Sequence, residues 1–399
     1  PYLVQNREGV DYLWDLSLYN GKYYQYWGVA PALLAALIKL LSAAPRLVTD
    51  MDLVAYFMVA YVVFFAQLLV LLRAKLFPRA PARYVLAFTL LGGLGTQILW
   101  LSGHPSVYQT AIAAAQCGLF GGLYAGLRAY WSKKHAPAWL LLAGFCWGAA
   151  VNSRISVAFG IAWLVLALAW LFLRKFGWPV LLRRSLPILI PLAVWAGVFF
   201  SYNYLRFGNI LESGHRYQLT GYALPENYDD VTSIRYVIPS LYSYLLRPFQ
   251  FDANKFPYFS VTFLSEYSWP AWIHLPEHYY YPERVLGLFP GIPALLLIFS
   301  PLLIALRRGW YWLKEEKLTE TWQTQAETTP LLVIFLMAAA LLLLPLLLFI
   351  STSMRYLADA APMAVLASAL AAGWSWQRLP AQPGKRYAFG VLIWFLILT

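Results

Sequence analysis

Long uninterrupted runs of apolar residues limit the fold of this chain more than any other feature of its sequence. Two examples are residues 161–173 (IAWLVLALAWLFL) and residues 331–350 (LLVIFLMAAALLLLPLLLFI). A bilayer has a hydrocarbon core about 30 Å thick, which a helix of about 20 mainly apolar residues can cross. Only 12% of the residues are charged, against about 25% in soluble domains. The sequence therefore predicts an all-α fold, a polytopic transmembrane helix bundle.

Ten segments have the length and apolarity of membrane-spanning helices. They are residues 53–73, 84–102, 107–128, 137–152, 155–174, 185–204, 285–306, 329–350, 359–376 and 387–399. The sequence has no initiator Met and stops within an apolar run, so we expect that both ends are truncated and that a spanning helix precedes Pro1. The intact protein would then have about eleven to thirteen spanning helices.

An eleventh apolar stretch, residues 27–44, is ambiguous because Lys39 lies within it. If this stretch crossed the membrane, the basic loop 73–83 would lie on the same side as the N-terminal segment. If it lies in the interface, the basic loops share one face, and they hold 18 of the 30 Lys and Arg residues. These loops are residues 73–83, 128–136, 174–184, 307–328 and 377–386. The positive-inside rule makes this face cytoplasmic, so we predict that residues 27–44 are interfacial or re-entrant.

The charge pattern divides the chain into four parts. Residues 1–52 are an external first loop with the interfacial stretch, residues 53–204 are transmembrane helices, residues 205–284 are a large external loop, and residues 285–399 are again transmembrane helices. The large loop has 19 aromatic residues in 80, which fits either an interfacial aromatic belt or a surface that binds sugar or lipid. The net charge of +12 is divided among short loop clusters, so nucleic acid is not an expected partner.

The N-terminal segment, residues 7–41, has the pattern most typical of a functional site (REGVDYLWDLSLYNGKYYQYWGVAPALLAALIKLL). Asp11 and Asp15 are four residues apart, so a helix would place them on one face. A turn at Asn20-Gly21 and then Lys22 follow. A carboxylate pair at a membrane surface can act as a general base or hold a divalent cation. The same spacing also occurs in ordinary solvated loops.

Residues 14–34 (WDLSLYNGKYYQYWGVAPALL), followed by a span and a basic loop, resemble the first external loop of bacterial membrane glycosyltransferases of the GT-C class. Within this class, the group that the chain resembles contains the dolichyl-phosphate-mannose–protein mannosyltransferase-like enzymes and the lipid A aminoarabinose transferases. Residues 141–160, 202–217 and 354–370 also resemble this group. The family often has an adjacent Asp-Glu in the first loop, whereas the acidic residues here are separated.

The resemblance implies a GT-C-like bundle with external juxtamembrane helices. It also implies inverting transfer of a sugar from a polyprenyl-phosphate-linked donor at the outer face of the cytoplasmic (inner) membrane, with this donor and membrane lipids as partners. Asp15, or else Asp11, would be the catalytic base, and Arg355 would hold the carrier phosphate. Further candidates for donor binding are Lys22, Arg154 and Arg206, although arginines at helix ends also serve as snorkelling anchors. The pattern requires no cofactor, although the two aspartates could act as a pair around a divalent cation.

Two other functions remain open. The chain could be a non-catalytic membrane subunit on a degenerate scaffold of the same class, or a transporter of lipid or solute. An outward-facing cavity lined by Asp11, Asp15 and Arg355 favours the enzyme. A filled cavity with a large protein interface favours the subunit, and pathways to both sides favour the transporter.

Two other motifs do not predict a site. His274, Glu277 and His278 match the H-x-x-E-H string of zinc proteases, which requires both histidines on one turn of a helix. Pro276 lies inside the string and disfavours that helix, so we predict no metal site here. Asp229-Asp230 is typical of a turn.

Overall fold

The computed structural model describes residues 16–41, 48–103, 105–132, 134–220, 226–254, 256, 258–261, 269–277, 279, 283–303, 325–379 and 383–398. Within this part of the chain the fold is nearly all-α, which confirms the predicted class. The helices are α1 (Ala30–Leu41), α2 (Asp50–Leu76), α3 (Ala82–Leu94), α4 (Ile98–Gly103), α5 (Val107–Trp131), α6 (Ala136–Val151), α7 (Ala158–Phe176), α8 (Trp178–Phe207), α9 (Val237–Leu245), α10 (Leu288–Gly291), α11 (Gln325–Leu347), α12 (Ala361–Arg378) and α13 (Pro383–Leu398).

Short elements complete the described fold. The 3-10 helices are Ile155–Val157, His215–Tyr217, Tyr228–Asp230, Ile234–Tyr236, Pro293–Phe299 and Met354–Asp359. The strands form two antiparallel hairpins, β1 (Ser17–Tyr19) with β2 (Lys22–Tyr24) and β3 (Gln250–Phe251) with β4 (Phe259–Ser260).

Five of the described helices are long and apolar enough to cross a membrane, namely α2, α5, α7, α8 and α11. This finding supports the prediction of a membrane protein. Helix α5 lies near the centre of the bundle, where it packs against α2 and α6. Most of its side chains are therefore buried inside the protein, whereas α8 exposes most of its surface.

Two of the predicted spans are interrupted. In the segment 84–102, α3 ends at Leu94 and the chain continues as the short helix α4. Glycines precede this break, and Thr96 donates a hydrogen bond back to the carbonyl oxygen of Gly92. In the segment 285–306, α10 is followed by a 3-10 helix that begins at Pro293. Mean hydropathy does not detect these interruptions because glycine and proline change the backbone without changing the apolar character of the segment.

Close helix packing depends on glycines spaced four residues apart. Gly144 and Gly148 of α6 face α8, and a Cβ atom on Gly144 would lie only 2.3 Å from the carbonyl oxygen of Ile188. On α5, Gly118 and Gly122 face α6 in the same way. Small residues at this spacing let helix backbones approach closely, which is a common means of association in membranes.

The N-terminal hairpin confirms the predicted turn. Asn20 and Gly21 both have positive φ, 48° and 73°, as a two-residue type I′ turn requires. The hairpin is attached to the segment after α8, because the Ser17 hydroxyl donates to the carbonyl oxygen of Gly214 over 2.7 Å. The hairpin and this segment therefore form one layer at the end of the bundle.

Helix α1 covers most of the ambiguous stretch 27–44. Its 12 residues span about 18 Å, which is too short to cross a hydrocarbon core of about 30 Å. Leu40 and Leu41 are exposed at its end, and Lys39 is next to them. At its start, the Ala30 amide donates to the carbonyl oxygen of Asn152 over 3.2 Å, so α1 begins directly on the end of α6.

Candidate functional site

A cavity of about 320 Å³ lies where α6 ends, α7 begins, and α8 and α11 end. Its aromatic wall consists of Tyr26, Trp27, Phe199, Tyr202, Tyr228, Phe349 and Tyr356. Its polar wall consists of Ser153, Arg154, Ser156, Asn203, Arg206, Ser213, His215 and Thr232. The N-terminal segment, the helix ends and the segment after α8 thus all contribute to one space of mixed polarity.

Arg154 lies at the sharp connection between α6 and α7. Asn152 ends α6, with its side-chain amide bonded to the carbonyl oxygens of Gly148 and Trp195. The Arg154 backbone is extended, with φ −152° and ψ 112°, and its side chain consequently points into the bundle end. It is 6% exposed.

Asp359 is the partner of Arg154. The Arg154 Nε donates to Asp359 Oδ2 over 2.7 Å, and the Ser156 hydroxyl donates to the same oxygen over 2.8 Å. Asp359 is fully buried at the end of the 3-10 helix that precedes α12. Arg154 bonds Asp359 through Nε and also lines the cavity.

Arg154 also belongs to a closed ring of cationic and aromatic groups. Its guanidinium lies 5.6 Å from the ring centroid of Trp27 and 5.4 Å from that of Tyr356. Arg355 contacts the Tyr356 ring at 5.6 Å and the Tyr108 ring at 4.6 Å. Tyr108 and Trp27 close the ring with an edge-to-face contact of 5.3 Å. Cation–π contacts of this kind strengthen when they are desolvated, so the ring holds both arginines in place.

Arg355 is neutralised by Glu283. The Arg355 Nε lies 3.3 Å from Glu283 Oε1, and the Ser353 hydroxyl donates to Glu283 Oε2. Both charged side chains are about a quarter exposed. The structure thus places Arg355 behind Tyr356, whereas the described residues that line the cavity include Arg154 and Arg206.

Arg206 is the second arginine of the cavity wall, near the end of α8. Its Nη2 donates to Asn203 Oδ1 over 2.9 Å, its Nε donates to the carbonyl oxygen of Tyr202 over 3.2 Å, and its Nη1 donates to the carbonyl oxygen of Gln25. Its guanidinium lies over the Tyr202 ring at 3.7 Å. These described acceptors are uncharged and orient the guanidinium, while the Glu212 carboxylate is close enough to interact with its charge.

His215 faces the cavity from the segment after α8. Its ring contacts those of Tyr26, Tyr228 and Phe349 at centroid distances of 5.8 to 6.1 Å. Burial among these rings lowers the pKa of His215 to about 4, because a charged imidazolium would lose its hydration. At neutral pH His215 therefore presents a neutral imidazole to the cavity.

The other described residues that were predicted from the sequence do not line the cavity. Asp11 and Asp15 are outside the described residues. Lys22 is exposed on β2 and is not among the residues that line the cavity. Asp229 and Asp230 form the predicted turn, as part of a 3-10 helix.

The described residues contain no group of three or more His, Cys, Asp or Glu side chains that could hold a metal ion. Of the H-x-x-E-H string, His274 and Glu277 are in irregular structure. His278 is outside the described residues.

Two acidic residues of the site, Asp359 and Glu283, did not stand out in the sequence. Asp359 is at the boundary of a predicted span, next to a run of alanines, and Glu283 is at the end of the long aromatic segment. One signal was available for Asp359. An acidic residue against a long apolar stretch requires a cationic partner, and Arg154, between two predicted spans, was a candidate for it.

Comparison with protein-family models, curated proteins and solved structures gives no match to this chain.

Proposed function

We propose that this protein is a membrane glycosyltransferase that moves a sugar from a polyprenyl-phosphate-linked donor to an acceptor at the outer face of the cytoplasmic membrane. The observation that carries this proposal is the cavity at the end of a membrane-spanning bundle, with two arginines and several aromatic rings in its wall. Guanidinium groups bind phosphate through paired, charge-assisted hydrogen bonds. A largely apolar wall with a few placed polar groups is typical of small-molecule sites.

The distribution of charge supports an outward orientation of the cavity. Arg174 and Arg183 lie at the end of α7 and the start of α8, opposite to the cavity. The positive-inside rule assigns the end with the basic clusters to the cytoplasm. The cavity would then face the periplasm or the cell exterior, where polyprenyl-linked sugars would be available in the outer leaflet.

Within this proposal, Arg206 and Arg154 bind the carrier phosphate. The sequence resemblance implied Arg355 for this role, but Arg355 is paired with Glu283 and lies behind Tyr356. We therefore propose that Arg355 supports the closed ring of cationic and aromatic groups, and that this ring holds Arg154 in place. The aromatic side chains of the wall would pack against the sugar and the first part of the lipid.

The reaction would be a single displacement. An acceptor hydroxyl or amine attacks the anomeric carbon and forms the new bond while the bond from this carbon to the phosphate oxygen breaks. The electron pair leaves with the phosphate oxygen, and the acceptor proton passes to a carboxylate, for which the sequence resemblance indicates Asp15. Attack opposite to the leaving group inverts the anomeric configuration.

The alternatives differ in what they require of the cavity. A non-catalytic subunit would not need an open cavity at the end of the bundle. It would also not need arginines in the cavity wall that can bind an anion. Arg206 lines an open cavity, and the acceptors of its described hydrogen bonds are uncharged, which favours a protein that binds an anionic ligand.

Binding of undecaprenyl phosphate to the full chain in nanodiscs tests the proposal at the site. Arg206→Gln should weaken binding about tenfold or more, because a hydrogen bond to a charged group contributes about 1.5–3 kcal/mol. Arg206→Lys should bind with intermediate affinity because a point charge lacks the fork geometry. The matched control is Arg183→Gln, an exposed arginine at the opposite end of the same helix. Equal affinity in Arg206→Gln and Arg183→Gln would contradict the proposal.

Turnover tests the chemical step separately. The release of undecaprenyl phosphate from its mannosyl and aminoarabinosyl forms would be measured with membranes that contain the acceptor. Asp15→Asn should reduce turnover about 10²- to 10⁴-fold, the typical contribution of a general base, without weakening undecaprenyl phosphate binding. Asp252→Asn, an exposed carboxylate beside β3, is the control.

A further inference from the structure

A lateral groove between α7 and α11 is not used by the proposed function. Its volume is about 510 Å³. Trp163, Ala167 and Trp170 of α7 form one wall, and Pro330 and Val333 of α11 lie in the other. Both helices are long and apolar enough to cross a membrane, and Val333 is 55% exposed. The groove therefore opens on the outer surface of the bundle, at the depth of the spanning helices.

The sequence explains the shape of the groove. Trp163, Ala167 and Trp170 are spaced by four and three residues, which places them on one face of α7. The small side chain of Ala167 leaves space between the two indole rings. The Trp163 ring is fixed, because its Nε1 donates to the carbonyl oxygen of Ile334 over 3.0 Å. The two indole rings therefore form a bulky wall, the small Ala167 side chain forms the floor, and the hydrogen bond of Trp163 keeps the groove open.

The chemistry of the walls selects a hydrocarbon occupant. They consist almost wholly of indole, proline and aliphatic surface, and the Trp163 N–H is already bonded within the protein. A bound water needs two to four polar partners, which these walls do not offer. In a membrane, an acyl chain of a neighbouring lipid would fill such a space.

One cation marks the end of the groove. Arg174 is exposed one turn beyond Trp170, with its guanidinium 5.4 Å from the centroid of that ring. Its neighbour Lys175 lies 3.5 Å from Glu327, which also accepts from Tyr130. Lys175 is therefore engaged with a carboxylate, whereas Arg174 contacts the aromatic ring at the mouth of the groove.

We propose that this groove binds an anionic phospholipid, with one acyl chain between Trp163 and Trp170 and the phosphate against Arg174. Basic residues beside an apolar surface attract anionic lipid headgroups, at about 1 kcal/mol for each Lys or Arg. This site is at the end of the bundle opposite to the cavity and does not depend on glycosyl transfer.

Native mass spectrometry of the full chain, released from nanodiscs with equal amounts of phosphatidylglycerol and phosphatidylcholine, tests this site. The parent should retain phosphatidylglycerol in preference to phosphatidylcholine. Arg174→Gln should lower this preference about fivefold. Val333→Trp should lower the retention of both lipids, because an indole would fill the groove.

Matched controls separate the groove from general effects. Arg183→Gln removes an exposed arginine near the same end of the bundle, and Val63→Trp places an indole on the exposed face of α2. Both should retain lipids as the parent does, and thermal unfolding should show that all four variants are folded.

Three results would overturn the proposal. The first is a parental lipid preference in Arg174→Gln or parental lipid retention in Val333→Trp. The second is release of phosphatidylglycerol by excess inorganic phosphate, because a lipid held by its acyl chain should stay bound. The third is a change of oligomeric state in Val333→Trp, which would show that a second copy of the chain occupies the groove.

Discussion

At the scale of single residues, the burial of Arg154 and Asp359 as an ion pair has a high energetic cost. Removing two charges from water costs several kcal/mol for each ion, and the attraction between them repays this cost only when the geometry is good. Here the pair has a distance of 2.7 Å and further support from Ser156. The ion pair holds the Arg154 side chain in position at the cavity.

Asp359→Asn should destabilise the protein by about 3–5 kcal/mol, because it leaves the Arg154 charge buried without a counter-charge. The free energy of unfolding would be measured in mixed micelles by tryptophan fluorescence. The control is Lys175→Gln, which breaks the half-exposed pair with Glu327 and should cost only about 0.2–1 kcal/mol. A smaller loss in Asp359→Asn than in this control would show that the buried pair is not needed.

His215 makes the stability of the folded protein depend on pH below neutrality. Its pKa is about 4 in the folded protein and about 6.5 in an unfolded chain. Between these values the unfolded chain binds a proton that the folded protein does not bind, so stability is complete above pH 6.5 and falls as the pH falls toward 4.

His215→Gln should remove this part of the pH dependence. The parent should lose about 1–3 kcal/mol more than the variant between pH 6.5 and 4, as measured by unfolding across that range. The control is His135→Gln, which replaces an exposed histidine. The stability of this variant should depend on pH as that of the parent does. Identical profiles for the parent and His215→Gln would show that His215 is protonated freely in the folded state.

At the scale of elements, the contact between α6 and α8 positions the cavity, because Asn152 at the end of α6 bonds to the backbone of α8. Gly144→Ala should destabilise this contact by about 1–3 kcal/mol, the usual cost of overpacking. The added methyl group would lie 2.3 Å from the Ile188 carbonyl oxygen. Unfolding of the purified protein would measure the effect.

Gly197→Ala on α8 is the matched control for this substitution. A Cβ atom at Gly197 would have no atom within 4 Å among the described residues. This variant should be stabilised by up to about 1 kcal/mol, since alanine has the higher helix propensity. Destabilisation in both variants would mean that backbone effects, and not the close contact with Ile188, dominate at Gly144.

The sequence was sufficient to predict most elements but not their interruptions. Hydropathy located α5, α6 and α7 to within a few residues, and the Asn20-Gly21 turn was predicted from residue type alone. The breaks at Gly95 and Pro293 were not predicted, because they depend on backbone conformation inside segments that are still apolar. Helix contacts through Gly144 depend on which faces meet, and spacing alone does not determine this.

At the scale of the whole molecule, the charge pattern predicts the orientation in the membrane. Cys117 and Cys146 are free and would first be replaced by serine. With single cysteines then introduced at exposed positions, an impermeant maleimide should label Asn254→Cys in intact cells but not Lys134→Cys. Lysis should expose both positions to the reagent. Labelling of Lys134→Cys but not Asn254→Cys in intact cells would reverse the topology.

The site could be predicted only in part. Arg154 and Arg206 were candidates because they lie at the ends of predicted spans, and both line the cavity. Asp359 and His215 join them from positions about 205 and 61 residues away from Arg154 along the chain. Such juxtapositions depend on helix packing, and the pattern within one segment does not determine which distant residues it will contact.

The proposed function requires that this cavity bind the phosphate of a polyprenyl carrier. The most direct test is a cryo-electron microscopy structure of the full chain in nanodiscs that contain undecaprenyl phosphate. The proposed function predicts density for the phosphate within about 3 Å of the Arg206 or Arg154 guanidinium, the distance of a charge-assisted hydrogen bond, with the lipid chain leading from the cavity into the membrane. Phosphate density bound elsewhere, with the cavity empty at saturating lipid, would contradict it.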